Sequence, residues 1–396
     1  MKSIERAVST AIIASLVILI VAVAGIGGYF LFFQQTNSQN PQSSSTLPVS
    51  TTSTYSATST SQSSTSSTQL SLSTSTAPSS AVHGQWSNTT AYPAGGEGAQ
   101  CVTFDGFVYC VGGLTTNQTY YAQLTSLGLG QWHSTSPYPT SGQGNGAGTL
   151  FYGSCVAWSG FIYCVGGQHD GLPASSDTYF APLSSSGIGA WKVTTSYPEA
   201  VGGFAGGPRA TISCVASASY IYCLGGGGAY FAPLSQSGIG GWEQTTNYNL
   251  AGYNYINYQG QVNGQTCVTM SGYIYCIAGG GLYGSPINET FYAQLNSSGI
   301  GSWARTTSYP INDTRFACTI LSGVVYCIGG ETYKSVVYHA SLSASGIGAW
   351  TTDPNYPTGI EDQACFASTE YIYCVLGFAS NQGNNPQTAA AYYLWP

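Results

Sequence analysis

Short segments that alternate apolar and polar positions recur six times along the chain, each arranged about a short turn. The first is "CVTFDGFVYCVGG", which begins at Cys101 and turns at Asp105-Gly106. A period of two on both sides of an X-Gly pair predicts an antiparallel β-hairpin with a type I′ turn. In two repeats the turn dipeptide is Ala218-Ser219 or Thr369-Glu370, which lacks the glycine, so the type I′ turn is not predicted there.

Two further motifs complete each repeat. A third strand of the type "YYAQL" starts at Tyr120, Tyr179, Tyr230, Phe291 and Tyr338, and a Gly-x-Trp-x5-Tyr motif, predicted as the fourth strand, contains Trp86, Trp132, Trp191, Trp242, Trp303 and Trp350. The repeat length is about 53 residues, and no helical pattern interrupts it. Six such repeats predict an all-β fold, a six-bladed β-propeller of four-stranded blades, over residues 82–396.

The phase of the repeats predicts how the ring closes. The first Trp motif precedes the first hairpin, whereas the last repeat ends with its third strand. Residues 84–93 should therefore pair beside Tyr392–Leu394 and supply the missing outer strand of the sixth blade.

Each hairpin carries two cysteines that face each other across the turn, in a non-hydrogen-bonded pair where side chains approach closely. We therefore predict one disulfide per blade, worth about 2.7 kcal/mol each on the chain-entropy argument. Zinc is the alternative, but Cys-x8-Cys is not zinc spacing and the four histidines are scattered, so no metal or cofactor is expected. The predicted bridges are Cys101–Cys110, Cys155–Cys164, Cys214–Cys223, Cys267–Cys276, Cys318–Cys327 and Cys365–Cys374.

The N-terminal region predicts an anchor followed by a stalk. Ala11–Phe33 is an uncharged apolar run of 23 residues, long enough to span a bilayer, and Lys2 and Arg6 precede it, which predicts an exported propeller. A cleaved signal peptide is the alternative. Between Gln34 and Ala81, 29 of 48 residues are Ser or Thr. The expected domains are thus a leader or anchor over 1–33, a disordered or O-glycosylated stalk over 34–81, and the propeller.

Two family resemblances refine this picture. The segment "ERAVSTAIIASLVILIVAVAG" resembles the class III, pilin-type leader of archaeal surface proteins, which implies cleavage after Ala7 with the helix kept as anchor or filament core. The order hairpin, Gly-Gly, Tyr strand and Trp strand resembles the kelch repeat over residues 84–396. That resemblance implies a propeller that, in most members, binds a partner.

Composition restricts the partners. Only 5% of residues are charged, and the propeller has few lysines and arginines, which excludes a basic face for nucleic acid. A surface with few titratable groups changes little in acid, so this composition suits a protein in an acidic medium. The alternative is a secreted protein in a neutral medium whose surface is covered by glycans. Sequons at Asn88, Asn117, Asn288, Asn296 and Asn312 predict N-glycans.

Known enzymatic propellers offer no matching set of residues. Copper radical oxidases need an unpaired cysteine, and sialidases carry Asp boxes, where this chain has Ser186 in place of the aspartate. No HxxxH or HExxH metal pattern is present. We expect a protein that is not an enzyme, with a carbohydrate-active enzyme as an alternative.

Blade topology predicts where a ligand would bind. The fourth-to-first and second-to-third connections share one end of the ring and vary in length and content, and such loops on a rigid scaffold commonly bind ligands. Solvated loops without a ligand are the alternative. The candidate ligand-binding residues at this end are Glu97, His169, Asp170, Arg209, Tyr253, Tyr255, Tyr258, Arg315, Glu361 and Asp362.

These observations favour a single-pass, membrane-anchored extracellular module that recognises a glycan or a protein. The alternative is a structural subunit of a pilus-like filament or envelope assembly, in which leader helices of several copies pack together.

Overall fold

The six repeats form six β-sheets in the computed structural model, which describes residues 83–114, 116–139, 150–167, 175–200, 211–225, 228–248, 264–280, 286–380 and 387–396. The predicted anchor and stalk lie outside these residues. Within the described ranges, no helix has the length and apolar character needed to cross a membrane.

The strands, numbered β1 to β31 along the chain, occupy equivalent places in successive blades. The first strands are β2 Gln100–Phe104, β7 Ser154–Trp158, β12 Ile212–Ser217, β17 Thr266–Met270, β22 Ala317–Leu321 and β28 Ala364–Ala367. The second strands are β3 Phe107–Val111, β8 Phe161–Val165, β13 Tyr220–Gly225, β18 Tyr273–Gly279, β23 Val324–Ile328 and β29 Ile372–Val375. The third strands are β4 Thr119–Thr125, β9 Thr178–Ser184, β14 Gly228–Ser235, β19 Ile287–Asn296, β24 Val337–Ser343 and β31 Ala391–Leu394.

The predicted fourth strand is present as two separate pieces of two residues each, so the four-stranded blade is confirmed only in part. Both pieces pair with the third strand, and the tryptophan of the motif lies between them. In blades one to five the pieces are β5 Gly128–Leu129 and β6 His133–Ser134, β10 Gly187–Ile188 and β11 Lys192–Val193, β15 Gly238–Ile239 and β16 Glu243–Gln244, β20 Gly299–Ile300 and β21 Ala304–Arg305, and β25 Gly346–Ile347 and β26 Thr351–Thr352. A small extra sheet joins β27 Ile360–Glu361 to β30 Phe378–Ala379.

The hairpins have the predicted geometry. In the first, φ is 46° at Asp105 and 77° at Gly106, and two positive values define a type I′ turn. Among the two exceptions, Ala218 alone has a positive φ of 52°, and Ser368–Tyr371 form a longer turn. All six predicted disulfides are present, each joining cysteines whose Cα atoms lie 4.1 Å apart, and no cysteine is free.

The first strands meet in a closed ring in which β2, β7, β12, β17, β22 and β28 each contact the next, and β28 contacts β2. The second and third strands pack blade against blade behind this ring. Their apolar side chains, such as Val108, Ile162, Ile221 and Val325, have no exposed surface.

Aromatic contacts join neighbouring blades. Each motif tryptophan packs edge-on against the motif tyrosine of the preceding blade, with ring centroids 4.9–5.2 Å apart, and its Nε1 donates to a backbone carbonyl of that blade. Edge-to-face pairs of this kind add about 0.5–1.5 kcal/mol to the burial of the rings. The Gly-x-Trp-x5-Tyr motif therefore serves as the contact between blades.

The N-terminal strand closes the ring as predicted. Strand β1, Trp86–Asn88, pairs antiparallel with β31 in the register Trp86 to Leu394 and Asn88 to Tyr392. Trp86 packs on Tyr356 of blade five at 4.9 Å and donates through Nε1 to Pro354 O at 3.1 Å. The strand thus makes the same contacts in blade six that the other tryptophans make in their blades.

We expect deletion of residues 82–93 from the full chain to lower the melting temperature by roughly 10 °C or more, because it removes the partly buried Trp86 and the buried Tyr92, a loss of about 3–5 kcal/mol. The matched control deletes the same length from the predicted stalk, residues 60–71. Differential scanning calorimetry that gives equal melting temperatures for both deletions would contradict closure by β1.

A second hydrogen bond between blades can be tested with an internal control. The hydroxyl of Tyr163 donates to Ser235 O of the next blade at 2.8 Å, and Tyr109, Tyr222, Tyr275 and Tyr373 do the same in their blades. Tyr326 occupies the same position, but no such bond from it is present among the described residues. Tyr163→Phe should therefore cost about 1 kcal/mol and a few degrees in melting temperature, whereas Tyr326→Phe should cost almost nothing. Equal losses in the two variants would show that the bond contributes no stability.

Candidate functional site at the mouth of the central channel

A cavity of about 490 Å³ opens at the start of the six first strands. Because the first strands begin where the fourth-to-first connections end, this mouth lies at the end of the ring predicted to bind. Its walls are formed mainly by the residues that directly precede the first cysteine of each repeat, namely Gly98–Cys101, Tyr152–Cys155, Thr211–Cys214, Gly264–Cys267, Thr314–Cys318 and Asp362–Cys365.

The position three residues before the first cysteine has an unusual backbone. In five of the six repeats it is left-handed, with glycine at positions 98 and 264 and with φ of 59° at Tyr152, 61° at Arg315 and 53° at Asp362. A left-handed conformation costs a tyrosine or an arginine about 1–2 kcal/mol, and strained residues of this kind concentrate at functional sites. Three side chains at one mouth are thus held in a conformation that glycine would adopt more easily.

An ion cluster occupies one side of the mouth. Arg315 Nη1 lies 2.7 Å from Glu361 Oε1, Nε donates to Asp362 Oδ2 at 2.9 Å, and Nη2 contacts both Asp362 and, at 3.9 Å, Glu97 Oε2. The three carboxylates are almost fully buried, while a quarter of the Arg315 side chain is exposed. We call Glu97, Arg315, Glu361 and Asp362 the Arg315 cluster. One guanidinium among three carboxyl groups leaves a negative excess.

Burial and mutual repulsion change the proton affinity of the cluster. Burial, followed by the charge of Asp362, raises the pKa of Glu97 to about 7, although Arg315 and a hydrogen bond with Gln387 lower it. Burial also raises the pKa of Glu361, against the opposing charge of Arg315. For Arg315, burial alone would lower the pKa, but Asp362, Tyr152 and Glu361 together raise it, so the guanidinium stays charged. Protonation of Glu97 therefore reduces the negative charge of the cluster near neutral pH.

A fourth buried carboxylate adjoins the cluster. Asp313 is fully buried, and its Oδ1 accepts hydrogen bonds from Lys334 Nζ at 3.1 Å, Thr314 N at 2.9 Å and Glu331 N at 3.0 Å. Burial raises the pKa of Asp313, while Lys334 opposes the shift. This pair fixes the segment that carries Glu331, whose side chain is partly exposed and which lines the cavity.

Two glutamines line the cavity with acceptor atoms that have no partner. Gln265 and Gln363 are only 7% and 6% exposed, and each donates through Nε2 to a second-strand carbonyl of the preceding blade, Leu224 O and Ile328 O. Their Oε1 atoms have no hydrogen-bond partner among the described residues. Both oxygens are buried behind the cavity wall, so a ligand in the cavity does not reach them without movement of the glutamine side chain.

The structure brings together four of the candidate ligand-binding residues, Glu97, Arg315, Glu361 and Asp362. The other six, His169, Asp170, Arg209, Tyr253, Tyr255 and Tyr258, lie outside the described residues. Sequence reasoning missed Tyr152, Gln265 and Gln363. The sequence did contain a signal for them. Each stands two or three places before the first cysteine of its repeat, and these positions differ from one repeat to the next when the repeats are aligned.

The rest of the ring offers weaker sites. The opposite end of the channel, about 320 Å³, is lined by small, apolar and threonine side chains together with Cys101 and Cys365, and no ionisable group among the described residues lines it. A larger groove of about 640 Å³ between the hairpin turns of blades one and six carries Asp105 and Glu370, both exposed. Buried ionisable groups converge at the mouth and not at the groove, so the mouth is the stronger candidate.

The sequons differ in accessibility. Asn88, Asn296 and Asn312 are exposed, whereas Asn117 and Asn288 are partly buried. The Nδ2 atom of Asn117, which would carry a glycan, donates to Tyr138 O at 3.1 Å. No group of three or more His, Cys, Asp or Glu residues suited to a metal ion occurs within the described ranges.

Comparisons with known proteins support the fold alone. The chain matches no protein-family model, and no curated protein matches it. Among solved structures, that of YjhT is similar, with a TM-score of 0.57 and 11% sequence identity over 76% of this chain and 95% of that one. At this identity the likeness shows a six-bladed β-propeller and carries no information on the ligand.

The raised pKa of Glu97 predicts an unusual pH dependence of stability. Native Glu97 keeps its proton up to about pH 7, whereas the unfolded chain releases it near 4.5, so the native state binds more protons between these values. Stability must then fall as pH rises through this window, by at most about 3 kcal/mol. Urea unfolding at pH 5 and 7.5 should show the wild type more stable at pH 5, and Glu97→Gln should reduce that difference.

Glu370→Gln, at the opposite end of the ring, is the control and should keep the wild-type difference. A wild type that loses stability steadily from pH 7.5 to 5 would contradict this account of Glu97.

Proposed function

We propose that the protein is a cell-surface recognition module, in which a disulfide-stapled, kelch-like propeller binds a small polar ligand group, as on a glycan, at the mouth of its central channel. The observation that carries the proposal is a cavity of about 490 Å³ that Tyr152, Arg315, Glu331 and Asp362 line together, with Arg315 held by buried carboxylates behind them. Ligand pockets for small molecules have volumes of about 300–1,000 Å³ and few, well-placed polar groups.

The direction in which the chain enters the ring supports display. Gly84 N donates to Trp395 O at 2.7 Å, and Trp86 pairs with Leu394 at the C-terminal end of β31. That end of each third strand leads to the outer turn, on the side of the ring opposite the mouth. The chain therefore enters the ring at the end opposite the mouth.

Rigid walls suit a recognition role. Each first strand is bonded by a disulfide to the second, and hydrogen bonds join neighbouring first strands, such as Cys214 N to Ser154 Oγ at 3.0 Å and Cys267 N to Ser213 Oγ at 3.0 Å. A site that is already formed loses little freedom on binding, which favours affinity.

A carbohydrate-active enzyme is the second candidate, and one observation favours it. A carboxyl group whose pKa is raised to about 7 and that lies beside further carboxyl groups is the arrangement of a general acid and its partner in glycoside hydrolysis. Bound oligosaccharides that are cleaved by the wild type and not by Glu97→Gln would favour this candidate over recognition alone.

The recognition proposal is tested with Tyr152→Gly in the full chain. Glycine suits the left-handed backbone at position 152, so the variant should fold while losing a cavity-lining ring. On a glycan array and in cell adhesion, we expect binding to fall at least about tenfold, the effect of losing roughly 1.4 kcal/mol.

Tyr255→Ala, in the sequence between β16 and β17, should also weaken binding, whereas Ser186→Ala, in an outer turn of blade two, should not. Binding that survives both tyrosine changes and is lost with Ser186→Ala would place the ligand at the other end of the ring. Recovery of the protein from sheared cells in long filaments, with no ligand on the array, would favour the pilus-like alternative.

A further inference from the structure

An exposed aromatic ring lies at the rim of the mouth. Four large hydrophobic side chains are exposed among the described residues, and Tyr333, 37% exposed, is the one in a connection at the mouth end. The others are Leu127 in the outer turn of blade one, Val193 in the outer strand of blade two and Trp395 at the C-terminal end of β31. Tyr333 follows two residues after Glu331, which lines the cavity. The ring is therefore placed to contact a ligand that extends out of the mouth.

A second aromatic ring supports the first and connects it to the Arg315 cluster. The ring of Tyr333 stacks on that of Phe378, with centroids 6.0 Å apart and planes at 11°. Phe378 pairs with Glu361 in the sheet of β27 and β30, and Glu361 Oε2 accepts a hydrogen bond from Thr332 N at 3.0 Å. We call Tyr333 and Phe378 the Tyr333 platform. These contacts make the platform continuous with the wall of the mouth.

The connection between β23 and β24, which carries Tyr333, is fixed in a strained conformation. The backbone is left-handed at both Thr332 and Tyr333, with φ of 65° and 57°, a region that residues other than glycine, asparagine and aspartate rarely adopt. Lys334 Nζ donates to the fully buried Asp313 at 3.1 Å and holds the connection down. Blade three joins the same two strands through Gly226–Gly227 alone, so a blade does not require this connection. Enforced strain of this kind is typical of functional sites.

The surroundings of the platform favour a neutral sugar. Of the two bases in the described part of the mouth, Arg315 is held by the carboxylates of its cluster and Lys334 by Asp313, so neither is free to pair with an acidic sugar. The face of a tyrosine ring is negative and attracts the weakly positive C–H groups of a sugar. A glucose-type pyranose, whose hydroxyl groups are all equatorial, presents C–H groups on both faces. Such a ring matches the exposed surface of Tyr333.

Resting on the proposed function, we infer that the Tyr333 platform is a second sugar subsite, which stacks one neutral, glucose-type unit of an oligosaccharide while the cavity beside Tyr152 holds the adjacent unit. Glu331 lines that cavity, and its Cα lies at most about 7 Å from that of Tyr333, a separation on the scale of one pyranose unit. Linked units can therefore occupy both places. The site recognises linked sugars in preference to a single one.

The test titrates the full chain, in a detergent without sugar groups, with glucose and with the β-1,4-linked glucose tetramer by calorimetry. We expect the tetramer to bind at least tenfold more tightly than glucose, because it alone fills both places. Tyr333→Asn removes the ring, and asparagine tolerates the left-handed backbone, so the variant should fold. It should weaken tetramer binding about fivefold, the effect of one aromatic contact, and change glucose binding less than twofold.

Two further variants separate stacking from other effects. Tyr333→Phe keeps the ring and should bind the tetramer within twofold of the wild type. Trp395→Ala removes an aromatic side chain of similar exposure, 40%, at the opposite end of the ring and should leave tetramer binding unchanged. Equal losses with Tyr333→Asn and Trp395→Ala, or tighter binding of a galacturonic acid tetramer than of the glucose tetramer, would overturn the inference.

The remaining outcomes distinguish the platform from the proposed function. If the glucose tetramer does not bind, or binds equally well to Tyr333→Asn, while another glycan on the array is lost with Tyr152→Gly, the platform inference fails and the proposed function stands. If no ligand responds to Tyr152→Gly, the proposed function itself fails.

Discussion

The contact of one blade's tryptophan with the preceding blade's tyrosine is the interaction on which the architecture depends. A blade alone is a small twisted sheet with apolar side chains on both faces, and it can bury them only between two neighbours. The edge-on pair, repeated from Tyr92–Trp132 around to Trp86–Tyr356, sets the angle at which each blade meets the next. Six equal angles close a ring, and β1 supplies the pair that would otherwise be missing.

Ring closure determines what reaches the centre. Because all six first strands start at the same end of the channel, residues about 53 positions apart in the chain become neighbours around one mouth. Arg315 and Asp362 illustrate this, since they hold the same place in successive repeats and their side chains form a hydrogen-bonded ion pair. A repeat protein can build an asymmetric site in this way, by changing single residues at one repeated position.

The mouth combines a rigid wall with unfavourable electrostatics. Disulfides and blade-to-blade hydrogen bonds hold the strands, while burial raises the pKa of Glu97, Glu361 and Asp313. A domain with so few charged residues places several of them where they destabilise one another. The propeller itself does not require this cost, because neutral residues such as Thr211 and Gly264 stand in other blades where Arg315 and Asp362 stand in theirs. It is the main physical reason for treating the mouth as functional.

Local sequence determined the hairpins, the disulfide pairs, the number of blades and the strand that closes the ring, because each follows from a period of two, a turn dipeptide or the phase of a repeat. The tertiary structure alone decided that the Trp motif breaks the outer strand into two pieces, since its tryptophan turns to pack on the preceding blade. It also decided that Glu97, Glu361 and Asp362 surround Arg315, and that Tyr152, Gln265 and Gln363 share their cavity. Sequence could place the charged residues at one end of the ring, but which of them touch depends on the radius and closure of six packed blades, and no local pattern encodes that distance.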